Sequence, residues 1–358
     1  MANKLQLYFP QFRSREQVLD EIKSRENLKT IYETWNEEQQ HYFLDICSGA
    51  RGVKMLYDSF FKEIFNPDVV PERLEELLSL LLRQKVKILK VLPNDSTRIA
   101  DESSLLIMDI VVELEDHSLA NVECQKIGYT FPGQRAACYS ADLLLRQYKR
   151  VRGEKGKNFS YKDIKKVYSI IFYENSPSEF HKFPEHNLHR SRQQTDTGIN
   201  IELLQEFLFI PLDIAQEIYH NKGIENKLEA WLIFLSSDNP EDIAQLLETH
   251  PEFRKMYEDV CSLCQNTERM MEMFSKELQQ LDRNTVQYMI DEMQNKIDEQ
   301  KSQIDEQKSR IDEQKSQIDK QKSRIDEQKS QIDEQKSQLQ EKDSKIAELE
   351  ETIRNLTK

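Results

Sequence analysis

The chain has 358 residues, 32% of them charged and 38% hydrophobic, with a net charge of −14. That length allows one sizeable core with extensions, and the acidic balance excludes a generally basic, nucleic-acid-coating surface. No run approaches the roughly 20 apolar residues of a membrane span. The first residues, "MANKLQLYFPQF", have no signal-peptide character, and Cys47, Cys124, Cys138, Cys261 and Cys264 are scattered, so a reduced, cytoplasmic protein is expected.

In chain order, Ser14 to Asp45 has a charged helical pattern, and "YDSFFKEIFNPDVVPERLEELLSLLLR" predicts two helices broken near "NPDVVP". "VKILKVL" reads as a strand. From Leu105 to Lys126, "LLIMDIVVELEDHSLANVECQK" alternates apolar and polar residues on both sides of a short polar turn, the pattern of a β-hairpin. "GQRAACYSADLLLRQYKRVRG" has a helical apolar period and is expected to end at its basic residues and final glycine. "KKVYSIIFY" is a second β-branched and aromatic strand. The segment from Ser176 to Asn200 reads as a polar excursion, and Ile201 to Met293 as helical. Helix, strand, hairpin, helix and strand together predict an α/β layer arrangement around a mixed sheet. The expected division is an N-terminal helical segment at 1–48, a core at 49–210, a helical region at 211–293 and a tail at 294–358.

The tail repeats "IDEQKSQ" with small changes. Isoleucines at 297, 304, 311, 318, 325 and 332 stand seven apart and are followed by Leu339, Ile346 and Ile353. A strict seven-residue apolar repeat draws one stripe along a helix and imposes a left-handed supercoil. With isoleucine at position a, position d is mostly glutamine until Leu349 and Leu356. A coiled-coil stalk, with a homodimer as its simplest product, is expected; a single charged helix or a low-complexity tail is the plainer alternative.

The hairpin carries the candidate chemistry. Side chains alternate faces along a strand, so Asn121, Glu123 and Gln125 share one face and Val122, Cys124 and Lys126 the other. Asp109 on the first arm shares its face with Val111 and Glu113, and a turn near Asp116 to Ser118 brings the arms together. Two carboxylates and an amide on adjacent strands suit a hard cation such as magnesium; a solvated polar hairpin face explains the same residues.

Five blocks in order, "YDSFFKEIF", "LIMDIVVELED", "NVECQKIGY", "GQRAACYSADLLLRQY" and "KVYSIIFY", resemble the PD-(D/E)xK nuclease family transposases, over roughly Gly49 to Met293. The resemblance implies a restriction-endonuclease-like core with a mixed central sheet flanked by helices, a helical region after it and a heptad tail outside it. It also implies metal-dependent hydrolysis of DNA phosphodiesters, leaving 5′-phosphate and 3′-hydroxyl ends, in DNA mobility, recombination or defence. The family's acid falls on Asp109 and its E-x-K pair on Glu123 and Gln125, with Asp109, Glu123 and the carbonyl of Cys124 as ligands to Mg²⁺ or Mn²⁺. Glutamine in place of lysine at 125 can orient water but supplies neither a base nor a positive charge. The family's helical "DxxFK" element falls on Asp58 and Lys62, which either support the metal and contact phosphate or form a surface ion pair. Arg135 and Tyr139 could face the site from the following helix, Arg135 as a bidentate phosphate contact.

The run from Arg146 to Lys157, with Arg146, Lys149, Arg150 and Arg152, is the best local candidate for the DNA backbone, although basic residues also suit a helix end. Cys261 and Cys264 lie in a helical pattern without a second pair, which favours buried helix positions over zinc. His181, His186 and His189 are irregularly spaced and read as exposed loop residues. A catalytically silent scaffold oligomerised by the tail is the rival reading, and an RNA-directed nuclease is a third.

Overall fold

The computed structural model describes residues 3–92, 110–127, 132–199 and 201–356. Four short helices open the chain: α1 (Lys4–Tyr8), α2 (Arg15–Ser24), α3 (Glu26–Glu33) and α4 (Glu37–Cys47). Three of them start on reciprocal caps, Asn3 with Gln6, Ser14 with Gln17 and Asn36 with Gln39, so the first backbone N–H groups are satisfied locally. Next come α5 (Asp58–Ile64) and α6 (Pro71–Leu82). Pro71 suits the first turn of α6, and Arg83 ends it in the left-handed conformation at φ 55°.

The sheet is built from β1 (Ile88–Leu92), β2 (Ile110–Leu114), β3 (Leu119–Ile127), β4 (Val167–Asn175), β5 (His189–Arg192) and β6 (Gln205–Pro211), in the order β1-β2-β3-β4-β6-β5. The pairs β1/β2, β2/β3 and β5/β6 are antiparallel, whereas β3/β4 and β4/β6 are parallel. The mixed sheet follows from the connections. A tight turn joins β2 to β3, where Asp116 Oδ1 accepts from the Ser118 N–H at 3.0 Å and His117 takes φ 64°. The parallel step from β3 to β4 needs a long crossover, supplied by α7 (Pro132–Lys155).

Three expectations are corrected in this region. The crossover helix does not stop at Gly153; it runs to Lys155, and Gly156, at φ +52°, makes the break. The stretch after Ile201 is not all helix, because "QEFLFIP" forms β6, a strand with partners on both sides. The polar excursion likewise contains β5. Short strands of this kind are stabilised by pairing with distant neighbours rather than by local pattern.

After β6 come α8 (Leu212–Lys222), α9 (Lys227–Ser236), α10 (Pro240–Thr249), α11 (Arg254–Gln265) and α12 (Thr267–Leu356). One face of the sheet, including Ile110, Val112, Val122, Ile170, Phe172, Leu208 and Ile210, packs into the main core with Val18, Phe43, Phe61, Leu77, Trp231, Phe234 and Phe274. Cys261 and Cys264 are buried in this core, and burial pushes the Cys261 thiol up to about 12, the behaviour of packed rather than metal-binding cysteines. The other face packs on α7: Val111, Leu119 and Val167 meet Tyr139 and Leu143, and Ile171 and Tyr173 meet Ala136.

The chain divides into two compact units, Met1–Met289 and Ile290–Lys358. The second unit is helical up to Leu356. Its stripe from Ile297 to Ile353 is 44–60% exposed, and intrahelical ion pairs such as Glu306–Arg310 (2.9 Å) and Glu341–Lys345 (2.9 Å) line its flanks. Among the described residues, no helix is long and apolar enough to cross a membrane.

Candidate active site

β3 delivers the principal candidates. Strand alternation places Glu123 and Gln125 on the α7 face and Lys126 on the core face. Glu123 is only 3% exposed. Its Oε1 accepts from Gln125 Nε2 at 2.8 Å and from Arg135 Nε at 3.2 Å. Burial raises the Glu123 pKa above the ordinary carboxylate value, against the opposing pull of Arg135 and the Gln125 amide. Arg135 comes from the first turn of α7, and its guanidinium carbon stands 5.0 Å from the centre of the Tyr139 ring, one turn on. The helix thus brings a cation to the buried acid and orients it on an aromatic face.

Asp109 lies outside the described residues, as does the side chain of Asp58. The β2–β3 ladder is described as far as Ile110↔Val122, the sequence neighbours of Asp109 and Glu123. Lys62 is half-buried in the last turn of α5, and Cys124 is half-buried on β3. Among the described residues, no group of three His, Cys, Asp or Glu side chains could hold a metal. Glu123 itself suits a hard cation, being a buried carboxylate oxygen donor; two residues along the same face, the Gln125 Oε1 atom is buried without a hydrogen-bond partner among the described residues.

The basic run on α7 is more committed than its composition suggests. Arg146 Nε lies 2.6 Å from Asp142 Oδ2. Arg150 pairs with Glu113, Arg152 meets the Tyr148 hydroxyl, and Lys155 pairs with Asp163 at 2.5 Å. Lys149 and Arg152 are exposed. Glu113, 4% exposed, also takes His117 Nδ1 at 2.8 Å and Lys90 Nζ at 3.2 Å. Burial opposes its ionisation, yet the bonds from Arg150, His117 and Lys90 prevail and hold its pKa down at about 2.

Lys126, on the opposite face from Glu123, forms a buried ion pair with Glu277 of α12. Its ammonium lies 4.1 Å from the centre of the Tyr57 ring, and Glu277 also accepts from the Ser59 N–H at 3.1 Å. The strand carrying the acid is therefore tied to the start of α5 and to α12. The three histidines are not alike: His181 Nε2 lies 3.2 Å from Asp213 Oδ2, whereas His189 belongs to β5 and burial lowers its pKa.

A mixed sheet with helices on both faces, bearing a buried acid midway along a strand that runs parallel to its neighbour, is consistent with a PD-(D/E)XK-type core. The family model for PD-(D/E)XK nuclease family transposases matches residues 55–292, and the chain belongs to that family. Comparison with curated proteins and with solved structures gave no match.

Proposed function

We propose that this chain is a divalent-metal-dependent DNA endonuclease, with residues 49–210 as its nuclease core and 211–293 as the helical region completing it. The observation that carries the reading is the Glu123 carboxylate, buried against Gln125 and Arg135 in a chain of this family. Asp109, Glu123 and the main-chain carbonyl of Cys124 would hold Mg²⁺ or Mn²⁺. The bound cation would lower the pKa of water and offset charge on the phosphate. Gln125 fixes its amide by donating to Glu123, leaving Oε1 to orient a water. Arg135 offers a planar fork suited to a phosphate oxygen pair. The family resemblance would make Asp58 and Lys62 supports of the site, although α5 packs on the core face beside Lys126 rather than on the α7 face with Glu123, and Tyr139 orients Arg135.

Backbone contact on α7 falls to Lys149 and Arg152, with Arg146 and Arg150 held back by Asp142 and Glu113. The exposed isoleucine stripe supports pairing of two tails, which would present two sites to a duplex. One observation favours a silent scaffold instead: the arginines of the basic run are largely matched by acids of this chain. Cleavage of supercoiled plasmid at low salt, with Mg²⁺, Mn²⁺ or EDTA, separates the two readings. Metal-dependent nicking that Asp109→Ala and Glu123→Ala each abolish is expected; no cutting by folded wild type with either metal favours the scaffold. An RNA substrate run in parallel assigns the nucleic acid.

A further inference from the structure

The parallel ladder between β3 and β4 sets Asn121 beside Ser169, Glu123 beside Ile171 and Gln125 beside Tyr173, all on the α7 face. The Tyr173 hydroxyl and Gln125 Oε1 are both buried without a hydrogen-bond partner among the described residues. The hydroxyl can donate or accept, and the amide oxygen can only accept. Orphaned groups of this kind are uncommon in native interiors and call for a partner.

Neither group is free to turn away. Gln125 has committed its Nε2 to Glu123 at 2.8 Å, which fixes where Oε1 points. The Tyr173 ring is held by Phe180 and Phe209, with ring centres at 5.6 and 6.4 Å. The phenol also lies in the field of the site: the Glu123 carboxylate opposes its ionisation and the Arg135 guanidinium favours it, while burial keeps it protonated. A hydroxyl and a fixed acceptor on adjacent strands, beside a buried carboxylate, are the kind of partners that one small hydroxylic molecule needs. A buried water needs two to four polar partners, and Tyr173, Gln125 and Glu123 are of the right kind.

We propose that Tyr173 is a water-positioning residue of the Glu123 site: its hydroxyl donates to a single water that in turn donates to Gln125 Oε1. That this water is the attacking one rests on the nuclease reading; that it is bound does not.

The two parts are tested separately. In crystals of the full-length protein, an ordered water bridging the Tyr173 hydroxyl and Gln125 Oε1, lost in Tyr173→Phe, is expected; its absence from wild type overturns the proposal whatever the activity. In plasmid cleavage with Mn²⁺, Tyr173→Phe, which keeps the ring, is expected to lower kcat ten- to a hundredfold. Mn²⁺ affinity by calorimetry, Kd for DNA and Tm should stay within twofold or a degree or two of wild type. An unchanged kcat overturns the catalytic part, and a loss that follows Tm reveals a packing role instead. Glu123→Gln serves as control. A wild type that neither binds Mn²⁺ nor cuts rejects the nuclease reading, and the crystallographic arm then decides the water.

Discussion

Glu113 and Glu123 are buried carboxylates on the same face of the β2–β3 hairpin, yet their surroundings act on them in opposite senses. Glu113 is drawn from its ordinary 4.5 down to about 2 by Arg150, His117 and Lys90 despite burial. Glu123 is raised by burial even with Arg135 and Gln125 beside it. At about 1.4 kcal/mol per tenfold, ionised Glu113 contributes about 3 kcal/mol to the folded state at neutral pH, less what the exposed lysine and histidine lose to solvent. Glu113→Gln is therefore expected to destabilise by about 2–3 kcal/mol at pH 7. Its folded pKa is depressed, so this contribution is present above about 4.5 and fades as pH falls toward 2. Glu123→Gln is expected to stabilise the metal-free protein, as when a strained site residue is made neutral. Its folded pKa is raised, so the charged form becomes a penalty as pH rises through 4.5 to the folded value. Both effects shrink toward pH 4, with opposite signs. Glu113 sits opposite Leu119, four residues along β3 from Glu123 and so about 13 Å away, and the double variant should be additive. Urea unfolding of the full chain in EDTA at pH 7 and pH 4 measures all of this. A Glu123→Gln variant less stable than wild type at pH 7 would refute the reasoning, because the acid would then be serving the fold.

Other outcomes follow from the same contacts. Mn²⁺ binding by calorimetry should weaken with acidification from a pH above the ordinary carboxylate range, since the raised Glu123 takes up its proton early; a midpoint at or below 4.5 contradicts this. Lys126→Met leaves the Glu277 carboxylate buried without its cation, with the Ser59 N–H still donating to it, and should cost about 3–5 kcal/mol in denaturant unfolding, largely recovered in Lys126→Met/Glu277→Leu; a cost below about 1 kcal/mol would show that the pair is solvated. Lys149→Ala and Arg152→Ala should each reduce the salt dependence of DNA binding by about one phosphate contact, whereas Arg150→Ala should lower stability. Ile311→Lys with Ile325→Lys should return the full-length protein to a monomer by sedimentation; wild type that is already monomeric at high concentration removes the stalk.

The hairpin was legible in the sequence because period-2 alternation on both arms is a local signal, and the flanking turn residues Asp116 and Ser118 bound it. The same holds for α6 and for β4, whose apolar runs are long enough to show their period. β6 was not legible: seven residues of "QEFLFIP" suit a helix or a strand, and only pairing with β4 and β5 decides between them. The site divides in the same way. Glu123 and Gln125 lie two residues apart, and their shared face could be read directly. Tyr173 lies 48 residues after Gln125 and meets it only through the lateral register of a parallel ladder, which no local spacing encodes. The arginines of α7 looked like a DNA surface because composition does not show that Glu113 of β2 is folded against Arg150, whereas the Asp142–Arg146 pair, four apart on one helix, is encoded by local spacing.

The helical repeat of the second unit has a consequence for length. Each "IDEQKSQ" unit adds seven residues, or about 10.5 Å of helix, and returns the isoleucine to the same side. A whole unit gained or lost changes reach while leaving every neighbouring layer in register. Near-identical units would also offer two paired tails several alignments that differ only at their ends, so that Leu349 and Leu356 of the sequence would carry most of the information that selects one. Were two tails paired, the segment would act as a ruler graduated in steps of about 10 Å, with its zero mark near the C-terminal leucines.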